Sequence, residues 1–169
     1  MELIDKLYFF DLINISDKNN DHTTLHSDIS KYSKSFLIAV LGEDLYDQII
    51  AENPVDGSTL LGAIYYGGKV TYQGQLFKWN GFVNADKLSP MSDYVFYEYT
   101  RLAWSHSGST ANTIPAPELA VVNGGFDKLV EVHNRMEKQI QSLYDFMYYS
   151  GNYEFVPYWK MLNLNILGI

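Results

Sequence analysis

Four histidines and several carboxylates are the side chains that could support chemistry in this chain. His22 and His26 are four residues apart, a spacing that can place two imidazoles on one metal ion when the segment is helical. The surrounding segment is polar and lacks an HExxH pattern, so we predict no metal site there. His133 falls on an apolar helix stripe, which favours a buried, hydrogen-bonded histidine over a catalytic base.

The acidic residues and serines fit ordinary structural positions. The three carboxylates within residues 43–47 come at a predicted helix start, where the helix dipole favours negative charge. Asp93 and Glu98 are five residues apart and therefore do not face each other on a helix. No serine has the flanking pattern of a nucleophile, and Gly67-Gly68-Lys69 lacks the spacing of a phosphate-binding loop. We therefore predict no catalytic residue, no cofactor, no cofactor-binding residue and no enzymatic activity.

The composition excludes several other classes of protein. The chain has 169 residues, Lys+Arg 12 and Asp+Glu 20, a formal net charge of -8 and no cysteine. Without cysteine it forms neither a disulfide scaffold nor a thiolate metal centre, and its acidic balance disfavours a nucleic-acid binder with a basic face. Its apolar runs are far shorter than the roughly 20 residues that span a bilayer, and it begins without a secretion signal. We expect a cytoplasmic protein that binds neither membranes nor specific nucleic-acid sequences.

Apolar residues recur at spacings of three and four along most of the chain, which predicts helices. The expected fold is mainly α (α+β), a helical bundle of about four to five helices with one β-hairpin and an extended C-terminal tail. The predicted helices cover about 28–41, 43–52, 58–66, 89–106 and 126–149. β-type runs flanking Gln73-Gly74 predict the hairpin at about 69–80. We expect residues 1–154 to form one helical domain and residues 155–169 a docking tail, while residues 2–13 fit either a short helix or an extended segment.

Local signals predict where the helices begin and end. Gly42 separates the first two helices, Ser58 caps the third, and Ser89-Pro90 starts the fourth. Asn123-Gly124-Gly125 is expected to open the longest helix, which ends near Tyr149. The apolar seam of that helix is predicted to contain Leu129, His133, Met136, Ile140, Leu143 and Met147.

Aromatic and apolar residues concentrate in elements with little evident cover from the rest of the chain. Tyrosine accounts for 14 residues, and Tyr and Trp are enriched at protein interfaces. A two-stranded hairpin cannot cover apolar side chains on both faces. The apolar tail also needs a docking site, either on its own subunit or as a strand added to another chain. The predicted contact residues are Tyr72, Phe77, Trp79, Tyr97, Trp104, Tyr158, Trp159, Leu162, Leu164 and Ile166.

The order of elements resembles the head–tail connector (adaptor or ring) proteins of tailed bacteriophages, more narrowly those of Bacteroides-type and crAss-like phages. The resemblance covers about residues 29–160. It is carried by Leu41-Gly42-Glu43-Asp44-Leu45-Tyr46, Leu60-Leu61, Gly67-Gly68-Lys69-Val70-Thr71-Tyr72, Trp79-Asn80-Gly81-Phe82, Ser92-Asp93-Tyr94-Val95-Phe96-Tyr97 and Val156-Pro157-Tyr158-Trp159.

The resemblance implies a virion structural protein at the head–tail junction, made in the host cytoplasm. It implies a homo-oligomeric ring, commonly of twelve copies, that binds the portal protein and another tail or ring protein and lets DNA pass. An acidic channel would repel the phosphate backbone and so favour sliding of the DNA. The alternative that the composition leaves open is a small acidic binding or immunity-type protein that covers a basic partner.

Overall fold

Five α-helices and one antiparallel hairpin make up the part of the chain that the structure describes, and they confirm the predicted mainly α fold. The computed structural model describes residues 4–13, 22–107 and 116–151. Two single 3-10 turns at Lys6–Tyr8 and Asp11–Ile13 precede the first helix. The following elements are α1 (His22–Leu41), α2 (Glu43–Glu52), α3 (Leu60–Tyr66), β1 (Gly68–Tyr72), β2 (Gln75–Trp79), α4 (Pro90–Ser107) and α5 (Ala116–Tyr149).

Two of the predicted helix ends are confirmed, one is displaced by a residue, and α1 begins at His22, earlier than the predicted start near residue 28. Gly42 separates α1 from α2, and the Ser89 hydroxyl accepts a hydrogen bond from the Met91 amide (3.2 Å) at the start of α4. The cap of α3 is Thr59, whose hydroxyl accepts from the Gly62 amide (3.0 Å), so the prediction of Ser58 is wrong. Ser58 instead donates its backbone N–H to Asp56 (2.9 Å) within the preceding turn.

The predicted start of α5 is also wrong, because this helix begins at Ala116 and contains Asn123-Gly124-Gly125. Glycine lowers helix propensity by about 1 kcal/mol but keeps its backbone N–H, so the helical hydrogen bonds continue through it. Pro117 lies in the first turn, where the missing N–H has no partner to lose. Residues 108–115, which come between the predicted helices 89–106 and 126–149, lie outside the described part.

The hairpin forms with the predicted turn at Gln73-Gly74. Both turn residues have positive φ (50° and 81°), the signature of the type I′ turn that matches the twist of a two-stranded ribbon. The register pairs Lys69 with Lys78, and its full set is Gly68↔Trp79, Lys69↔Lys78, Val70↔Phe77, Thr71↔Leu76 and Tyr72↔Gln75. Alternate residues therefore share a face, which gives the hairpin two chemically different sides.

The core lies where α4 packs against α1 and α5, and both strands of the hairpin rest on α5. Most side chains of α4 within residues 90–101 are buried, and Phe36 of α1 lies 5.2 Å from Tyr94 between ring centroids. The buried seam of α5 uses Val132, whereas the prediction placed His133 there. His133 lies at the edge of this seam with its side chain 16% exposed, 3.7 Å from the Glu137 carboxylate, because the buried position at this turn is one residue earlier.

The N-terminal segment, for which the sequence left two possibilities open, consists of short 3-10 turns anchored to the loop before α4. The Tyr8 hydroxyl accepts a hydrogen bond from the Asn84 amide (2.9 Å) and donates to the Asn84 carbonyl (3.1 Å). Among the described helices, none is long and apolar enough to cross a bilayer.

Candidate protein-interaction surface

The inner face of the hairpin is fastened to the rest of the chain. Trp79 is only 2% exposed, and its indole N–H donates to the Ile64 carbonyl (2.7 Å). Its ring also meets Phe82 edge to face at 5.1 Å. This buried anchor fixes the base of the hairpin against α3, so the far end of the hairpin is held at a defined position.

The far end of the hairpin meets the end of α5 in a set of aromatic rings that we call the aromatic edge (Tyr72, Phe77, Tyr148 and Tyr149). Phe77 stacks on Tyr149 with ring centroids 3.9 Å apart, and Tyr72 lies 5.2 Å from the same ring. Tyr148 meets Tyr149 edge to face at 5.0 Å. Tyr72 and Tyr148 remain 45% and 49% exposed. The rings are thus positioned by one another while part of their surface faces solvent, which is the arrangement that suits a protein contact.

The opposite side of the hairpin, which we call the outer hairpin face, consists of Lys69, Thr71, Leu76 and Lys78. All four side chains are exposed, and Leu76 is 59% exposed. Lys69 and Lys78 are direct cross-strand partners. This face therefore combines two adjacent positive charges with an exposed apolar side chain.

A second exposed surface, the α2 stripe, consists of Glu43, Asp47 and Ile50. The spacing of four and then three residues aligns these side chains along one side of the helix. Ile50 is 41% exposed, although its neighbour Ile49 is buried in the core. The stripe thus joins two negative charges to one exposed apolar side chain.

The structure separates the predicted contact residues into three groups. Tyr72 is exposed and Phe77 is half-buried, so both contribute to the aromatic edge. Trp79 and Tyr97 are buried in the core of their own chain, so their side chains offer no surface to a partner. This corrects their assignment as contact residues, because an aromatic-rich pattern does not distinguish core from interface. The side chain of Trp104 and the residues Tyr158, Trp159, Leu162, Leu164 and Ile166 lie outside what the structure describes.

The lysine pair and the α2 stripe were not predicted as contact residues. A signal for each was nevertheless present in the sequence. Lys69 and Lys78 are equidistant from Gln73-Gly74, so a two-residue turn places them opposite each other. Glu43, Asp47 and Ile50 follow helical spacing, but their charges were attributed to the helix dipole alone.

Asp93 on α4 is a buried ionisable group with several hydrogen bonds. Its carboxylate accepts from Arg135 Nε at 3.0 Å, from a second nitrogen of the same guanidinium, and from the Gln139 amide at 3.3 Å. Burial raises the pKa of Asp93, and the Arg135 hydrogen bonds oppose this rise. These hydrogen bonds join α4 to α5, and the Asp93 side chain is only 1% exposed while Arg135 reaches the groove described below.

Other features that could support chemistry are sparse in the described residues. Within residues 4–13, 22–107 and 116–151, no group of three or more His, Asp or Glu side chains could hold a metal ion. A groove of about 650 Å³ lies between the second 3-10 turn and α5, lined by residues of both charges that include Asp127, Glu131 and Lys138. Because both positive and negative side chains line this groove, its charge does not indicate one class of small ligand.

No protein-family model, no curated protein and no solved structure matches this chain.

Proposed function

We propose that this chain is a virion structural protein, a subunit of a head–tail connector ring that joins a portal to a tail and lets DNA pass. The observation that most directly supports a role in protein assembly is the aromatic edge. It is a partly exposed set of rings held in place by a hairpin whose base is anchored through Trp79. Preorganised, half-exposed tyrosines lose little side-chain entropy on binding, which favours protein contacts.

The proposal that this assembly is a connector ring rests on the resemblance to phage connector proteins. It comes from the order of elements and from residues such as Leu41 to Tyr46 and Trp79 to Phe82. A mainly helical subunit with one hairpin agrees with that class in outline. The proposed partners are further copies of this chain, commonly twelve in a ring, the portal protein and another tail or ring protein.

The experiment measures the mass of the purified full-length chain over a wide range of protein concentrations. A ring subunit is expected to form closed oligomers with masses that are multiples of 19.4 kDa. Tyr72→Ser with Tyr148→Ser is expected to weaken assembly, because it removes the exposed rings of the aromatic edge. Phe10→Ser is the matched control, since Phe10 is a comparably exposed aromatic residue outside this surface.

A chain that stays monomeric at its solubility limit contradicts the ring proposal. An open series of masses without a preferred size also contradicts it, because a connector ring is closed.

A small acidic binding protein is the second candidate. It is favoured by residues 35–68, which contain five acidic residues and no Lys or Arg. Such a protein would form a one-to-one complex with a basic partner and would remain monomeric alone. The same mass measurement therefore separates the two candidates.

A further inference from the structure

The outer hairpin face holds an unfavourable arrangement of charge. Lys69 and Lys78 lie directly opposite each other, and like charges in that position destabilise a sheet. Asp86 lines a groove beside them, yet neither lysine forms an ion pair with any residue in the described ranges. Negative charges from outside the subunit would relieve this repulsion.

The α2 stripe holds the inverse arrangement. Glu43 and Asp47 are one helical turn apart, and like charges at that spacing destabilise a helix. Both are exposed, and neither takes part in an ion pair within the part that the structure describes. Exposed Ile50 follows them on the same side, as Leu76 accompanies the two lysines on the hairpin.

We propose that the outer hairpin face of one copy docks on the α2 stripe of a second copy of this chain. Lys69 and Lys78 would then face Glu43 and Asp47, and Leu76 would contact Ile50. This inference rests on the proposed function, because it names the contact through which the subunits of the ring associate.

The charge distribution explains why the partner is another copy. The hairpin residues Gly68–Trp79 carry a net charge of +2 in a chain of net charge -8. Another copy of the chain offers the complement of this segment, because its α2 stripe presents two negative charges and exposed Ile50 together.

The two surfaces are different patches of one subunit, so the contact is head-to-tail. Each copy keeps one unoccupied surface at each end, and successive copies can add until the first meets the last. A head-to-tail contact of this kind is what a closed ring requires.

The test uses two charge-reversed variants of the full-length chain, Lys69→Glu with Lys78→Glu and Glu43→Lys with Asp47→Lys. Each variant alone would place like charges at every contact, and we expect its self-association to weaken about tenfold or more. An equimolar mixture should restore assembly, because alternating copies then have opposite charges at every contact. The chain carrying all four substitutions should assemble alone for the same reason.

The matched control is Lys31→Glu with Lys34→Glu, which reverses two exposed lysines on α1 and should leave assembly unchanged. Circular dichroism of each variant checks that the fold is retained, and assembly of the natural chain should weaken as salt screens the contact.

The outcomes distinguish this inference from the proposed function. If the natural chain does not self-associate, the ring proposal itself fails. If the natural chain forms rings and either reversed variant assembles equally well, only the docking inference is overturned. It is also overturned if neither the mixture nor the fourfold variant restores assembly.

Discussion

Asp93 illustrates how the surroundings of an ionisable side chain set its role. The carboxylate is buried, and Arg135 and Gln139 supply its hydrogen bonds from the neighbouring helix. A buried carboxylate is costly unless it is paired and hydrogen-bonded, so these contacts are required for the packing of α4 against α5. The sequence showed that Asp93 does not face Glu98, but the partner 42 residues away was not predicted.

Arg135→Met is expected to lower the free energy of unfolding by about 3 kcal/mol near neutral pH, because it leaves the buried Asp93 charge unpaired. Replacing Asp93 by Asn in the same chain should recover part of this loss, since the amide carries no charge. Urea unfolding of the single and double variants measures both effects. Equal stabilities of the two variants would contradict this account of the pair.

The cost of Arg135→Met should also depend on pH. Burial raises the pKa of Asp93 above its ordinary value of 3.8 even beside Arg135, and we expect it to rise further once the guanidinium is removed. The folded state then holds a proton that the unfolded state releases, so the contribution of Asp93 to stability is fully present below pH 3.8 and is lost as the pH rises through the higher folded-state pKa. The deficit relative to the natural chain is therefore expected to be smaller at pH 4 than at pH 8.

Gly42 determines how α1 passes into α2. Its φ of 80° and ψ of 158° lie in a region that is essentially restricted to glycine. Its amide donates to the Ile38 carbonyl (2.9 Å), and its carbonyl accepts from the Tyr46 amide (3.1 Å). One residue thus ends one helix and begins the next, which sets the direction of the α2 stripe.

Gly42→Ala should destabilise the fold by about 1–3 kcal/mol through backbone strain alone. A Cβ at this position would meet no atom within 4 Å, so steric clash is not involved. Ala39→Gly, on the exposed side of α1, is the matched control and is expected to cost about 1 kcal/mol through helix propensity. Thermal or urea unfolding checks both, and an alanine at position 42 without cost would contradict the strain argument.

The aromatic residues whose side chains the structure describes include one group in the core and one at the surface. Rings between α1, α4 and the hairpin base form the core, as in the contact of Phe36 with Tyr94. Rings where the hairpin meets the end of α5 form the aromatic edge, which stays partly exposed. Residues 155–169, predicted as a docking tail, follow in the sequence soon after that edge and lie outside the described part.

Removal of residues 155–169 is expected to reduce self-association, because the alternating apolar residues from Leu162 to Ile166 predict a strand that docks on another surface. The measurement is the mass distribution of the truncated chain beside that of the full chain at matched concentrations. Its thermal unfolding serves as the folding control, since the described core ends with α5. Unchanged assembly would contradict the docking role of the tail.

Much of the fold could be predicted because the signals are local. Gln73-Gly74 sets a type I′ turn, Ser89-Pro90 starts α4, and Gly42 ends α1, each through dihedral angles or caps of a few neighbouring residues. The start of α5 was missed because Asn123-Gly124-Gly125 has the composition of a break but lies within a longer helix. Helix continuity depends on the whole segment, and a short motif only modifies it.

The division of aromatic residues between core and surface could not be predicted, since it depends on contacts between distant segments. Trp79 and Phe77 lie next to each other on one face of one strand. Trp79 is buried and donates a hydrogen bond to Ile64, whereas Phe77 is half-buried and stacks on Tyr149. Composition and spacing were sufficient to predict the helices and the hairpin, and they showed that the chain is rich in aromatic residues. The packing of α3 and α5 around the hairpin decided which of those rings remain available to a partner, because burial is a property of the assembled elements.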